Sequence, residues 1–248
     1  MNSNSKIMVL GSCFADGIGK RLREAGYDVC LNPFGTLFNP ASIEHSISRM
    51  RSAEPFTESE CVEMGANAGK ICSYSHHTSF ARVRARDFLD NANARLKEAS
   101  ACWQECDTVI LTLGTAFVWK HQPEGRIVSN CLKRPGYEFT HELLSLQEVK
   151  DLLDSIITAS PEKEFILTVS PIRHLGYGAH SNQISKSTLL MAEESVLDND
   201  RVRYFPAYEI LLDELRDYRW YAEDRVHPSP EAVDVIWDRF RLWAGLEG

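Results

Sequence analysis

Ser12 follows the apolar run Ile7–Leu10 and Gly11, and it opens a stretch of helical period. Near the other end of the chain, Asp224 precedes His227 by three residues, in a short segment just before the last helical pattern. A carboxylate at that spacing can lie beside the imidazole and accept its Nδ1–H, which leaves Nε2 free to take a proton from a hydroxyl. Together the three residues make a Ser-His-Asp set in chain order Ser, Asp, His, a combination far more specific than either half. Taken singly, Ser12 is a helix cap and the Asp-x-x-His segment a surface loop. Cys13 is a rival nucleophile with nothing beyond its neighbour to mark it. The glycines at 11, 17 and 19 fit neither phosphate-cradling pattern, and no G-x-S-x-G occurs, which argues against a nucleotide loop and against an α/β-hydrolase elbow.

Five short runs rich in Val, Ile, Leu or Phe read as strands covered on both faces: 6–10, 28–32, 108–113, 164–170 and 201–205. Residues 12–25 and 87–106 read as helices, the second with Leu89, Ala92, Leu96, Ala99, Trp103 and Cys106 on one stripe. Leu146 to Ile157 makes another stripe behind the capping box Ser145-x-x-Glu148, and Ser229-Pro230 starts the last helix. Alternating strands and helices predict an α/β fold with a parallel sheet. Ser12 then stands at a strand-to-helix turn, where free backbone N–H groups and the helix dipole favour an oxyanion. Segments 52–86 and 114–145 lose periodicity and are expected to be long loops over the sheet. No repeat or linker divides the chain, so one domain over 1–248 is expected.

With 27 Lys and Arg against 35 Asp and Glu, the net charge of −8 disfavours a nucleic-acid partner. The polar start Met1–Lys6 and the short apolar run behind it match neither a signal peptide nor a membrane span, so a cytoplasmic protein with no membrane partner is expected. Seven cysteines without C-x-x-C spacing read as reduced thiols.

Gly11-Ser12-Cys13-Phe14-Ala15 resembles the naming motif of the GSCFA family, a branch of the SGNH (GDSL-like) hydrolase superfamily. Asn32 to Pro40, Leu113 to Ala116, Ser170 to His174, Ser185 to Ser187, Tyr204 to Glu209 and Asp224 to Ser229 also resemble it, so the likeness runs from residue 7 to about 240. It implies a three-layer α/β/α fold with a five-stranded parallel flavodoxin-like sheet, Ser12 as nucleophile, and Asp224 and His227 as orienter and base. It further implies an oxyanion hole built from the N–H groups of Ser12 and Gly35. The superfamily's third donor, an asparagine in G-x-N, is replaced here by Gly114-Thr115-Ala116, so Thr115, an N–H of its loop, or Asn39 must substitute. The activity implied is hydrolysis of a small acyl ester, acetyl on a sugar hydroxyl being one case, with no cofactor and no metal. An acyltransferase with the same triad, and a non-catalytic glycan- or nucleotide-binding module, are the alternatives.

Arg173 and His174 follow the fourth strand into the same cleft, either to hold a polar or anionic part of the substrate or to pin a loop to a carboxylate. His76-His77 lacks an acidic or cysteine partner at ligand spacing, so no metal site is expected there. Trp119 reads equally as a sugar platform and as a half-buried loop aromatic, and Arg82, Arg84 and Arg86 as a solvated edge.

Overall fold

The computed structural model describes residues 5–65 and 69–246; Met1 to Asn4 of the polar start and residues 66–68 of the 52–86 segment lie outside them. Its central sheet contains β1 (Lys6–Gly11), β2 (Asp28–Leu31), β5 (Thr108–Leu113), β9 (Glu164–Val169) and β10 (Val202–Tyr204), all parallel, in the order β10-β9-β5-β1-β2. This is the doubly wound order expected for a flavodoxin-like sheet. From β1 the chain goes out to β2 and then crosses back to β5, so the crevice of such a sheet opens at the carboxyl ends of β1 and β5.

Side chains alternate along each strand and supply both faces. Met8, Leu10, Val109, Leu111, Leu113, Phe165, Leu167 and Val169 face one core, covered by α2 (Pro40–Ser52), α3 (Ala85–Glu105), α4 (Leu146–Thr158) and α5 (Gly178–Glu194). Ile7, Val9, Ile110 and Ile166 face the other, covered by α1 (Cys13–Glu24) and α7 (Pro230–Ala244). The result is a three-layer α/β/α arrangement. Caps set the helix starts as the sequence implies: Ser145 and Glu148 form the box on α4, and Ser229 accepts from Ala232 N with Pro230 at the first position of α7.

The expected loops are corrected. Segment 114–145 contains an antiparallel sheet of β6 (Phe117–His121), β7 (Arg126–Val128) and β8 (Phe139–Leu143), and segment 52–86 holds the short pair β3 (Val62–Glu63) and β4 (Ile71–Cys72). These strands are half exposed, so apolar residues alternate with Lys120, Arg126, Thr140 and Glu142 and make no continuous run. Between β10 and α7, α6 (Ala207–Glu209) continues as a π-helical turn over Ile210–Leu215. All seven cysteines are free, and no described helix is long and apolar enough to cross a membrane.

Candidate active site

The end of β1 is shaped by Gly11, whose φ of +136° suits glycine and where a Cβ would lie 2.2 Å from the Thr112 carbonyl oxygen. Glycine thus lets β1 close against β5 and deliver Ser12 to the first turn of α1. There Ser12 caps the helix, its Oγ accepting from Phe14 N at 3.2 Å, and its own N–H donates to Thr112 Oγ1 (3.0 Å) and Thr112 O (3.2 Å). The Ser12 hydroxyl donates to Ser170 Oγ at 2.8 Å and lies 3.2 Å from Thr112 Oγ1. Three hydroxyls from neighbouring strands therefore meet at one buried point. Capping and nucleophilic roles are compatible, because the same helix start stabilises an alkoxide. Beside it, desolvation and then the Asp16 carboxylate push the Cys13 thiol above its ordinary pKa, which disfavours the thiolate.

The loop before α7 is built around Asp224. One carboxylate oxygen accepts from Val226 N (2.8 Å) and His227 N (2.9 Å), while the other meets His227 Nδ1 at 2.6 Å. Arg225 turns the loop in the left-handed region, at φ +55°. The His227 backbone bond, the His227 ring and the Val226 N–H together hold the Asp224 carboxyl down at about 2, so it stays a carboxylate facing Nδ1. His227 Nε2 has no protein partner among the described residues, and its side chain is 46% exposed. The loop is tied to the segment after β9 by Arg173, which donates from N to Val226 O (3.1 Å) and from Nη1 to Arg225 O (3.4 Å). Ser12 and His227 are not hydrogen-bonded to each other; the serine proton rests on Ser170.

The expected oxyanion donors are largely engaged. Ser12 N–H is held by Thr112, and Gly35 N–H donates to Asn32 O at 2.8 Å. Gly35 itself is required by φ +85° and by His77, whose Cβ is 2.3 Å from where a Cβ on Gly35 would stand. The Thr115 hydroxyl turns away to Ser185 Oγ (2.8 Å) and accepts from Phe117 N (3.1 Å). Asn39 differs: its Oδ1 caps α2 by accepting from Ser42 N at 2.9 Å, which fixes the amide orientation, and Nδ2 has no acceptor among the described residues. Gly114 N–H donates to Phe38 O at 2.7 Å, so Asn39 sits next to the turn where the superfamily asparagine is missing.

His174 packs on Phe38 with ring centroids 5.1 Å apart, and its buried, unpartnered Nε2 is 3.1 Å from the Cβ position of Gly114. Burial, then the charges of Lys186 and His227, push its pKa to about 4, so it is neutral near pH 7. Arg173 pins the base loop through carbonyls rather than a carboxylate, with its guanidinium 3.9 Å over the Tyr221 ring. The remaining sequence candidates are structural. His76 lies among Phe34, Phe56, Phe80 and Phe88, Trp119 packs on His141, and Arg84 and Arg86 pair with Asp87 and Asp90.

Sequence reasoning missed Thr112, and it named Ser170 and Lys186 only within segments that resemble the family, without a role. The first two lie in or directly after strands, where only the register of β1, β5 and β9 brings their hydroxyls to Ser12. Compared with known families, the chain matches the model of the GSCFA family over residues 6–240, from β1 into α7. No curated protein sequence matches it.

Proposed function

The chain belongs to the GSCFA family, and we propose that it is a serine esterase or deacylase that removes a small acyl group, acetyl on a carbohydrate hydroxyl being the simplest case. The observation that carries this reading is the Asp224–His227 dyad, with Nδ1 committed to the carboxylate and Nε2 open, docked onto the segment that also supplies the hydrogen-bond partner of Ser12. In the reaction His227 Nε2 takes the Ser12 proton as Oγ attacks the ester carbonyl, and Asp224 stabilises the resulting imidazolium. The Asn39 amide N–H is the free donor for the tetrahedral oxyanion, a contact of the kind worth a few kcal/mol of barrier. His227 then protonates the leaving alkoxide, and water activated by the same imidazole hydrolyses the acyl-enzyme. An acceptor alcohol in place of that water makes the same machinery an acyltransferase.

The engaged N–H groups of Ser12 and Gly35 favour a second reading, a binding module in which Ser12 only caps α1. Intact-mass measurement after exposure to a fluorophosphonate separates the two. A single adduct on the wild type and on Cys13→Ser, absent from Ser12→Ala and accompanied by turnover of p-nitrophenyl acetate, is expected for the esterase. No adduct on the wild type, or an adduct that survives Ser12→Ala and disappears with Cys13→Ser, overturns it.

A further inference from the structure

β5 and β9 run in register up to Leu113 and Val169, and their last rung is Ser170 N–H to Leu113 O at 2.8 Å. Beyond it the chains part, Gly114 towards Phe38 and Ser170 into Pro171. The carbonyls of Gly114 and Ser170 thereby lose their place in the ladder. Lys186 of α5 fills it: its Nζ donates to both oxygens at 2.6 Å, and the residue is only 1% exposed. Its neighbour Ser185 binds Thr115 Oγ1 and Ala116 N on the Gly114 branch, so α5 grips both sides of the fork.

An ammonium is a costly group to bury, and it persists only where its donors are satisfied. No carboxylate pairs with it at ion-pair distance, and burial pulls the pKa of the Lys186 ammonium down to about 7. The buried Glu193 on the same helix has both oxygens unpartnered, and burial raises its carboxyl well above the ordinary value. An apolar residue at 186 would avoid the burial cost and leave two inward carbonyls orphaned. What hangs on those carbonyls is the site itself. The Ser170 branch carries Arg173, which holds the His227 loop, and the Gly114 branch carries Thr115 and, through Phe38 O, adjoins Asn39.

We infer that Lys186 is a positioning residue for acyl transfer: by bridging Gly114 and Ser170 it fixes the gap between the branch that docks the base and the branch that adjoins the oxyanion donor Asn39. This rests on the esterase reading. The same strands hold an internal control, since Lys163, also 1% exposed, donates from Nζ to Cys106 O at 2.8 Å at their opposite end, roughly 20 Å away at about 3.3 Å per residue. Lys163 is likewise a buried ammonium at a strand end, held by one carbonyl and by the Glu162 carboxylate at 3.2 Å, with no part in the site.

The experiment compares Lys186→Met and Lys163→Met in the full chain. Fluorophosphonate kinact and KI are read by intact mass, stability by urea unfolding, and amide exchange over peptides covering 112–118 and 170–175. Lys186→Met is expected to lower kinact by about tenfold or more, with KI within about threefold, and to speed exchange in both peptides. Lys163→Met is expected to lose stability with kinact within about twofold of the wild type. Lys186→Gln, one bond shorter and able to reach one carbonyl, is expected to lie between, and it carries the test if the Met variant does not fold. A kinact for Lys186→Met within about twofold of the wild type, or an equal fall in Lys163→Met, overturns the inference. If the probe never labels the wild type, the esterase reading fails instead. Exchange then decides the clamp alone: acceleration confined to those peptides in Lys186→Met supports it, and unchanged exchange overturns it.

Discussion

Ser170→Ala removes the oxygen on which the Ser12 proton rests. The 2.8 Å bond between the two hydroxyls is buried and neutral, and a bond of this kind is worth about 1 kcal/mol net. It exists in the free enzyme, whereas at the transition state the same proton is passing to His227. An interaction made in the ground state and lost at the transition state raises the barrier, so its removal lowers it. About 1 kcal/mol corresponds to roughly fivefold in rate. Thr112 Oγ1, at 3.2 Å, remains to hold part of the Ser12 hydroxyl, so the expected gain is about two- to fivefold. The substitution also costs stability. Ile172 N–H donates to Ser170 Oγ at 3.3 Å and would be left buried without an acceptor, a loss of about 1 kcal/mol and about 2–4 °C in Tm for a chain of this size. Pseudo-first-order labelling by the fluorophosphonate gives the first quantity and thermal unfolding the second. A labelling rate lower than the wild type by more than about threefold, in a variant that still melts cooperatively, would mean that Ser170 passes the proton on rather than holding it back.

Asp224→Asn replaces the acceptor of His227 Nδ1–H by a group that can present N–H2 to it, favouring the wrong imidazole tautomer; acylation is expected to fall by about a hundredfold or more, and a loss under about threefold assigns the orienting role elsewhere. With His174, at about 4, adding to it, acid sensitivity should have its largest single source in His76, whose ring burial among phenylalanines pushes its pKa from 6.5 to about 3. Because the unfolded chain binds the proton more tightly, this contribution to stability is full above about pH 6.5 and is lost as pH falls towards 3, by roughly 1 kcal/mol per pH unit. In urea unfolding between pH 6 and 4.5, His76→Leu should have a stability slope against pH shallower by about that amount, and an unchanged slope would remove His76 as the cause.

The inner strands β1, β5 and β9 were legible because they are buried on both faces and so read as apolar runs, and 108–113 coincides with β5 residue for residue; the edge strands β2 and β10 are shorter and partly exposed at Asp28 and Arg203. α2 went unread although its signals are present: Asn39 caps, Pro40 occupies the first position, and Ile43, Ile47 and Met50 fall on one face. α5 is different. Its buried face carries Asn182, Ser185, Lys186 and Glu193 among Leu189 and Ala192, so no apolar stripe marks it as a helix. Two of the polar residues that conceal it, Ser185 and Lys186, hold the fork between β5 and β9. Within the site, Ser12, Asp224 and His227 could be found because each lies in a short segment with local meaning. Asn39 could be named as a candidate only, since its open Nδ2 follows from the Ser42 cap bond that fixes the other end of the amide.

Polar groups are distributed unevenly over the sheet, and that bears on what it is for. At the carboxyl ends of β1, β5 and β9, Thr112 and Ser170 each bond Ser12, and Lys186 bonds the backbone. His174 Nε2 lies buried without a partner beside Gly114 at that end. For stability alone, apolar side chains of similar volume can serve nearly as well, since replacing both partners of a buried hydrogen bond is often close to neutral. The opposite end of the same strands also buries polar groups, Thr108, Ser160 and Lys163, the last held by Cys106 O and the Glu162 carboxylate. On the proposed function, the hydroxyl cluster at the carboxyl ends serves a site that steers a proton from Ser12 to His227. It also accounts for the expected sign in Ser170→Ala, where the fold loses a bond that the reaction must break.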